Sequence, residues 1–290
     1  MLTPRQIAEQ GTFLVKEVGS SVHGTNIEGV DDLDLMGVAF QPPEYTLGLQ
    51  RFEQYVYRTA REREGYDPGE DQRKAGREPP SRPGDTDLVI YSVQKYLRLA
   101  LSGNPSVLVL LFSPKRHREY EINLDATSLF WADTLEWLAE DIASQQAGVK
   151  FLGYLRAQKE RMLGTRGQMR VTRQELIDTY GFDLKYAMQA IRLGLQGIEF
   201  MQTGKLSLPM HESLASELRE IRQGGWVFSQ VIEWIDSLEN DLKRAIDNSQ
   251  LLKHPNYTNI DKWLVRTQQE YFAWLRNLKS QALELTAKLP

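Results

Sequence analysis

Up to Tyr91 the apolar residues fall in short runs rich in β-branched and aromatic side chains; beyond Asp125 they return every three or four residues. The runs Thr12–Val18 (TFLVKEV), Leu33–Phe40 (LDLMGVAF), Phe52–Tyr57 (FEQYVY) and Asp87–Tyr91 (DLVIY) predict four strands. Thr3-Pro4 reads as an N-cap with a first-turn proline and predicts a short opening helix. A further helix follows the fourth strand at Ser92–Leu101 and is stopped by Gly103-Asn104-Pro105.

The later periodicity predicts helices over Lys150–Met162, Thr172–Tyr180, Leu184–Met201, His211–Arg222, Val227–Asn248 and Ile260–Lys288, with an earlier one around Leu129, Leu135 and Leu138. Gly164–Gly167 and Gly224-Gly225 punctuate them. The fold class is therefore α+β: a small mixed sheet domain over residues 1–120, then an all-helical domain over residues 121–290. Between the third and fourth strands, Arg58–Gly84 carries seven basic and six acidic residues but only Ala60, Tyr66 and Ala75 of the hydrophobic class. Such a segment cannot bury itself and predicts a mobile loop, either a lid over a site or a solvated spacer.

Composition narrows the class. The chain has 290 residues, 41% hydrophobic and 26% charged, which is ordinary for a globular protein and suits about two domains. Lys+Arg number 35 and Asp+Glu 39, for a net charge of -4, so any nucleic-acid contact must use a local basic patch. There are no cysteines, which removes disulfides, thiolate zinc sites and thiol nucleophiles and suits a reducing, cytoplasmic setting. The longest apolar run, Val107–Phe112, is far short of the roughly 20 residues that span a bilayer. The first ten residues lack the apolar core of a signal peptide, so no membrane partner is expected.

Chemistry concentrates in residues 19–38, GSSVHGTNIEGVDDLDLMGV. A strand ends at Gly19-Ser20, a turn containing Gly24-Thr25 follows, and Asp32 and Asp34 stand two apart in the next strand. Residues i and i+2 share a strand face, and two carboxylates on one face repel unless a cation lies between them. Hard divalent cations such as Mg²⁺ take oxygen ligands and keep phosphate oxygens in their shell. Glycine lets a triphosphate approach the backbone, and serine offers a hydroxyl. No GxxxxGK[ST] occurs, which disfavours a Walker-type ATPase.

This order of strand, Gly-Ser, loop and Asp-Leu-Asp resembles the signature of the DNA-polymerase-beta-like nucleotidyltransferase superfamily. Residues 81–112 and 180–209 are similar, within it, to the RNA-repair-pathway family, on Tyr91-Ser92-Val93-Gln94-Lys95, Gly103-Asn104-Pro105 and the Asp183-Leu184-Lys185…Arg192-Leu193 helix. A His-Pro-x-Tyr…Asp-x-Trp-Leu segment at residues 254–264 is family-like too. The resemblance implies metal-dependent transfer of a nucleotide from an NTP, with Mg²⁺ (or Mn²⁺) as cofactor. The acceptor it implies is a hydroxyl, with an RNA end as one candidate. Two other classes stay open: a catalytically silent nucleotide- or RNA-binding regulatory module, and a toxin or defence nucleotidyltransferase with another acceptor.

The resemblance also implies that Asp32 and Asp34 bind the metals and that a later strand adds a third carboxylate. Asp87, opening the strand after Pro83-Gly84, is the candidate; Asp85 is the alternative and is also suited to capping the turn. Nucleotide-binding candidates are Gly19, Ser20, Lys95, Lys185 and Arg192. Lys185, Gln189 and Arg192 share one helical face by their spacing, and Lys95 either reaches a phosphate or pairs with a carboxylate. Two positions depart from the family pattern: Gln189 stands where a histidine is frequent, and Ser21-Val22-His23 follows the Gly-Ser. Both bear on substrate grip and leave the carboxylates untouched. Arg156, Lys159, Arg161, Arg166, Arg170 and Arg173 form a basic cluster that would suit RNA. His23 sits in the candidate nucleotide loop, and the tryptophan pairs Trp131/Trp137 and Trp226/Trp234 read as core.

Overall fold

The opening helix α1 (Pro4–Gly11) starts with reciprocal capping. Thr3 accepts from the Gln6 N–H, and Gln6 accepts from the Thr3 N–H at 2.9 Å, so two orphan donors are satisfied at once. A computed structural model of the chain describes residues 1–62, 81–121, 126–165 and 174–286. Strands β1 (Thr12–Glu17), β2 (Leu33–Ala39), β3 (Gln54–Arg58) and β4 (Thr86–Ser92) form one sheet in the order β1-β2-β4-β3. The β2–β4 pair is parallel; the two outer pairs are antiparallel. The outer edge of β1 is covered by residues 115–117: the Glu17 N–H donates to the Lys115 carbonyl and the His117 N–H to that of Val15.

Between the strands sit α2 (Ser20–His23), where a bare turn is expected, and α3 (Pro43–Thr46). After β4 the chain enters α4 (Val93–Leu101), with Ser92 as N-cap. The stop at Gly103-Asn104-Pro105 is also a start: Asn104 caps the Ser106 N–H, and α5 runs Pro105–Phe112. The sequence pattern missed α5 because Val107–Leu111 are all buried, so the helix has no polar face to give it a period.

The expected Arg58–Gly84 loop is shorter than its composition suggests. Arg58 is the last residue of β3, and Thr59–Glu62 form a 3₁₀ turn with Ala60 buried. A specific ion pair holds Arg58 there, which a composition argument cannot see. Residues 63–80 lie outside the described residues.

Eight helices complete the described chain: α6 (Ala126–Trp137), α7 (Ala139–Ile142), α8 (Gln145–Met162), α9 (Gln174–Tyr180), α10 (Leu184–Thr203), α11 (Glu212–Arg222), α12 (Phe228–Asn248) and α13 (Tyr257–Thr286). Helix α10 is the axis, packed by α8, α11 and α12. At Gly194 a Cβ would come within 2.9 Å of Leu238 Cβ and 3.0 Å of Leu155, so glycine permits the close approach of α8 and α12. No helix among the described residues is long and apolar enough to cross a membrane.

The two faces of the sheet bury different sets. Val15, Leu35, Leu88 and Ile90 pack with Ile7 and Ala8 of α1. Met36 and Val38 join a larger core with Ala187, Ile191 and Phe200 of α10. Alternation along the strand therefore puts Asp34 on the α10 side, in line with Met36 and Val38. Trp131 is fully buried and Trp226 stacks on Trp234, as expected; Trp137 is 69% exposed and is not core.

Candidate metal centre

Asp34 and Asp87 occupy the same rung of the parallel β2–β4 ladder, one opposite the other. Asp32 lies just ahead of β2, two residues before Asp34. One carboxylate oxygen from each of Asp32, Asp34 and Asp87 lies within 4.8 Å of the other two. Like charges so placed are destabilising in themselves. Burial first, and then the charges of Asp32 and Asp87, push the Asp34 carboxyl up to about 6, with Lys185 opposing the rise.

Gly19 is fixed by the same carboxylate. A Cβ at Gly19 would lie 2.2 Å from Asp34 Oδ2 and 2.6 Å from its Cβ, so only glycine lets Asp34 pack against the end of β1. Gly24 closes α2 at φ 76, a left-handed conformation that suits glycine.

Asp87 carries a ready-made counterion. Arg58 Nε donates to both its oxygens, at 2.9 and 3.0 Å, its Nη2 adds a 2.7 Å bond, and Ser81 donates at 3.0 Å. Asp85 faces elsewhere: it accepts from Thr59 Oγ1 at 3.1 Å and from the Arg82 N–H, the work of a turn cap. Of the two candidates for the third carboxylate, Asp87 is thus the one beside Asp32 and Asp34.

These groups line a cleft of about 490 Å³ between the sheet and α10. Gly19, Ser20 and the three carboxylates are on its sheet side, and Lys185, Gln189 and Arg192 face them from α10. Asp183 caps α10, accepting from the Lys185 and Tyr186 N–H groups at 2.9 and 3.1 Å, and so sets Lys185 in the first turn. Lys185 makes no ion pair with a described residue. Arg192 is already engaged: it donates to His23 Nε2 at 3.2 Å and to Gln196 Oε1 at 2.7 Å. Burial lowers its pKa to about 10, so it stays charged at neutral pH. Burial and, after it, the Arg192 charge hold His23 well below its ordinary pKa, so this imidazole is a neutral acceptor within the core.

Lys95 is not in the cleft. It follows β4, which carries the chain away from Asp87, and its Nζ bonds Gln54 Oε1 at 2.9 Å and sits 5.6 Å from the Tyr91 ring centroid. The Tyr-Ser-x-x-Lys run is explained locally by this contact and by the Ser92 cap on the Lys95 N–H. The described members of the basic cluster have partners: Arg156 pairs with Glu239, Lys159 with Asp236, and Arg161 lies over Tyr186. Arg166, Arg170 and Arg173 lie outside the described residues.

Three cleft residues carried no mark in the sequence: Arg58, Asp31 and Arg222. Arg222 donates to both Asp31 oxygens, at 2.8 and 2.7 Å, from a position 191 residues away. Only covariation between distant positions would reveal such a pair.

The chemistry of the donor set is plain. It is all oxygen, partly buried, and in the α10 face it meets a lysine that opposes its charge, which fits a hard divalent cation and not a soft one. A family model described as RlaP, RNA repair pathway DNA polymerase beta family, matches residues 7–266. No curated protein matches the chain.

Proposed function

Since the chain belongs to the RNA repair pathway DNA polymerase beta family, we propose that it transfers a nucleotide from an NTP to a hydroxyl acceptor such as an RNA end. The observation that carries this is the convergence of Asp32, Asp34 and Asp87 within 4.8 Å on one wall of a cleft large enough for a nucleotide.

Asp32, Asp34 and Asp87 would hold Mg²⁺ or Mn²⁺. When bound, the metal neutralises charge on the phosphates and on the attacking and leaving oxygens of an in-line displacement. Gly19 keeps the backbone low where the phosphates approach, and Ser20 borders them. Lys185 stands in the first turn of α10, where the helix dipole disfavours a cation. An anion in the cleft would relieve that conflict, so Lys185 is the phosphate contact of choice, with Arg192 and Gln189 behind it. Asp87 would orient the acceptor hydroxyl, and Arg58 fixes the orientation of its carboxylate. Catalysis rests on positioning and on charge already in place. Residues 1–120 would form the catalytic unit and residues 121–290 the helical unit that closes the cleft.

The test is incubation with labelled NTPs, Mg²⁺ or Mn²⁺ and a mixed RNA pool, with Asp34→Ala as control. Label in RNA with the parent and none with the variant supports the reading. Equal label in both, or label in neither with all four NTPs, defeats it.

A further inference from the structure

The turn that delivers Asp32 is moulded by α11. Three successive carbonyls of that turn accept from α11 and the residues just before it: His23 from the Met210 N–H at 3.3 Å, Gly24 from Arg219, and Thr25 from Arg222 at 2.8 Å. Arg222 also grips Asp31 through two bonds, at 2.8 and 2.7 Å, in an ion pair whose side chains are only 8% and 14% exposed. Asp31 accepts the Ile27 N–H at 2.7 Å, which closes the turn on itself. Burial alone would raise the Asp31 carboxyl; Arg222, the Ile27 N–H and Ser20 outweigh it and hold it lowered.

Asp32 contributes an oxygen to the three-carboxylate cluster, whereas Asp31, its neighbour, is outside that cluster and is gripped by Arg222. An arginine held at both Asp31 oxygens and at the Thr25 carbonyl fixes the peptide between the two aspartates in place and orientation, because its planar fork admits one geometry. Arg222 itself borders the cleft and gives three of its N–H groups to the turn.

We propose that Arg222 is a positioning residue for the metal centre: through Asp31 and the Thr25 carbonyl it sets Asp32 at the distance from Asp34 and Asp87 that a shared cation requires. The proposal rests on the metal-centre reading above. Groups that orient a ligand from behind change metal affinity by about 10- to 100-fold when removed. A role confined to folding would lower the melting temperature and leave the affinity of the folded protein alone.

The experiment is Mn²⁺ titration of the full chain by calorimetry, with melting temperature measured alongside, for the parent, Asp34→Ala, Arg222→Lys, Arg222→Gln, Asp31→Asn and the Arg222→Gln/Asp31→Asn double variant. The expected result is Mn²⁺ affinity at least about tenfold weaker in Arg222→Gln and in Asp31→Asn, with no further loss in the double variant. Arg222→Lys, which keeps the charge and loses the fork, is expected to stay folded and to be weakened as well. Nucleotide transfer in Arg222→Lys should regain the parent kcat at raised Mn²⁺. Folded Arg222→Lys and Asp31→Asn proteins that bind Mn²⁺ as the parent does would overturn the proposal. A parent that binds no Mn²⁺, or an Asp34→Ala variant that binds it equally, would instead bring down the metal-centre reading and this proposal with it.

Discussion

Asp34 of β2 and Asp87 of β4 face each other on adjacent parallel strands, two carboxylates on one rung. They are not equivalent. Asp87 is tied to Arg58, whereas Asp34 is half-buried among like charges and has its pKa raised to about 6.

That difference makes metal-free stability depend on pH. An unfolded aspartate titrates near 3.8, and the folded Asp34 near 6. Between these values the unfolded chain gives up a proton that the folded chain keeps, so stability falls as pH rises through this window and is level above it. Asp34→Asn removes the penalty. At neutral pH, without metal, it should be more stable than the parent by on the order of 2 kcal/mol, with the gain fading to nothing near pH 4. Denaturant melts across this range check it, and a parent whose stability does not change between the two pH limits refutes it.

Asp87→Asn should behave in the opposite way. Its carboxylate is the anion for Arg58, and the pair is 19% exposed on each side. Losing it should cost about 1–2 kcal/mol in metal-free protein. It should also abolish nucleotide transfer, whereas Asp85→Asn, which loosens bonds from Thr59 and the Arg82 N–H outside the carboxylate cluster, should retain most of its turnover. Full turnover in Asp87→Asn would remove it from the site.

Gly19→Ala brings a methyl to within 2.2 Å of Asp34 Oδ2. Either β1 or Asp34 must move, at about 1–3 kcal/mol. Divalent-cation affinity should drop with it, and Gly19→Ala with parent-like Mn²⁺ binding and melting temperature would show that Asp34 has room to spare.

Lys185→Gln should weaken NTP binding by about tenfold and lower metal-free stability at neutral pH, since it removes the cation that opposes the rise at Asp34. It should also raise the Asp34 pKa further, because Lys185 opposes that rise. The pH window over which metal-free stability falls should then extend to higher pH, and an unmoved window would disconnect the two groups.

Much of this could be read from the chain. The four strands, the capped first helix and the long helices α10, α12 and α13 follow from periods and caps, and the Gly-Ser and Asp-x-Asp spacing located the sheet side of the cleft. What escaped has a common cause. Helix α5 hides because it is buried all round. The charged segment from Arg58 reads as a lid or a spacer, with no sign of the ion pair that fixes its first residue. Of the two readings of Lys95, a phosphate contact or a carboxylate pair, the structure places it 3.9 Å from Glu53, because β4 carries the chain away from Asp87. Arg222 and Asp31 are invisible because the signal is a pairing between distant positions, and a single sequence records positions, not pairs.

The hold of α11 on the turn before Asp32 also has a meaning in time. During synthesis Asp31 leaves the ribosome 191 residues before Arg222 does. At roughly 5–20 residues per second, that is a wait of about 10–40 s. Until then the acidic turn has its own bond from the Ile27 N–H to Asp31 but none of the bonds from α11. A chain truncated before α11 would carry all three carboxylates and lack the arginine bonds on the turn before Asp32.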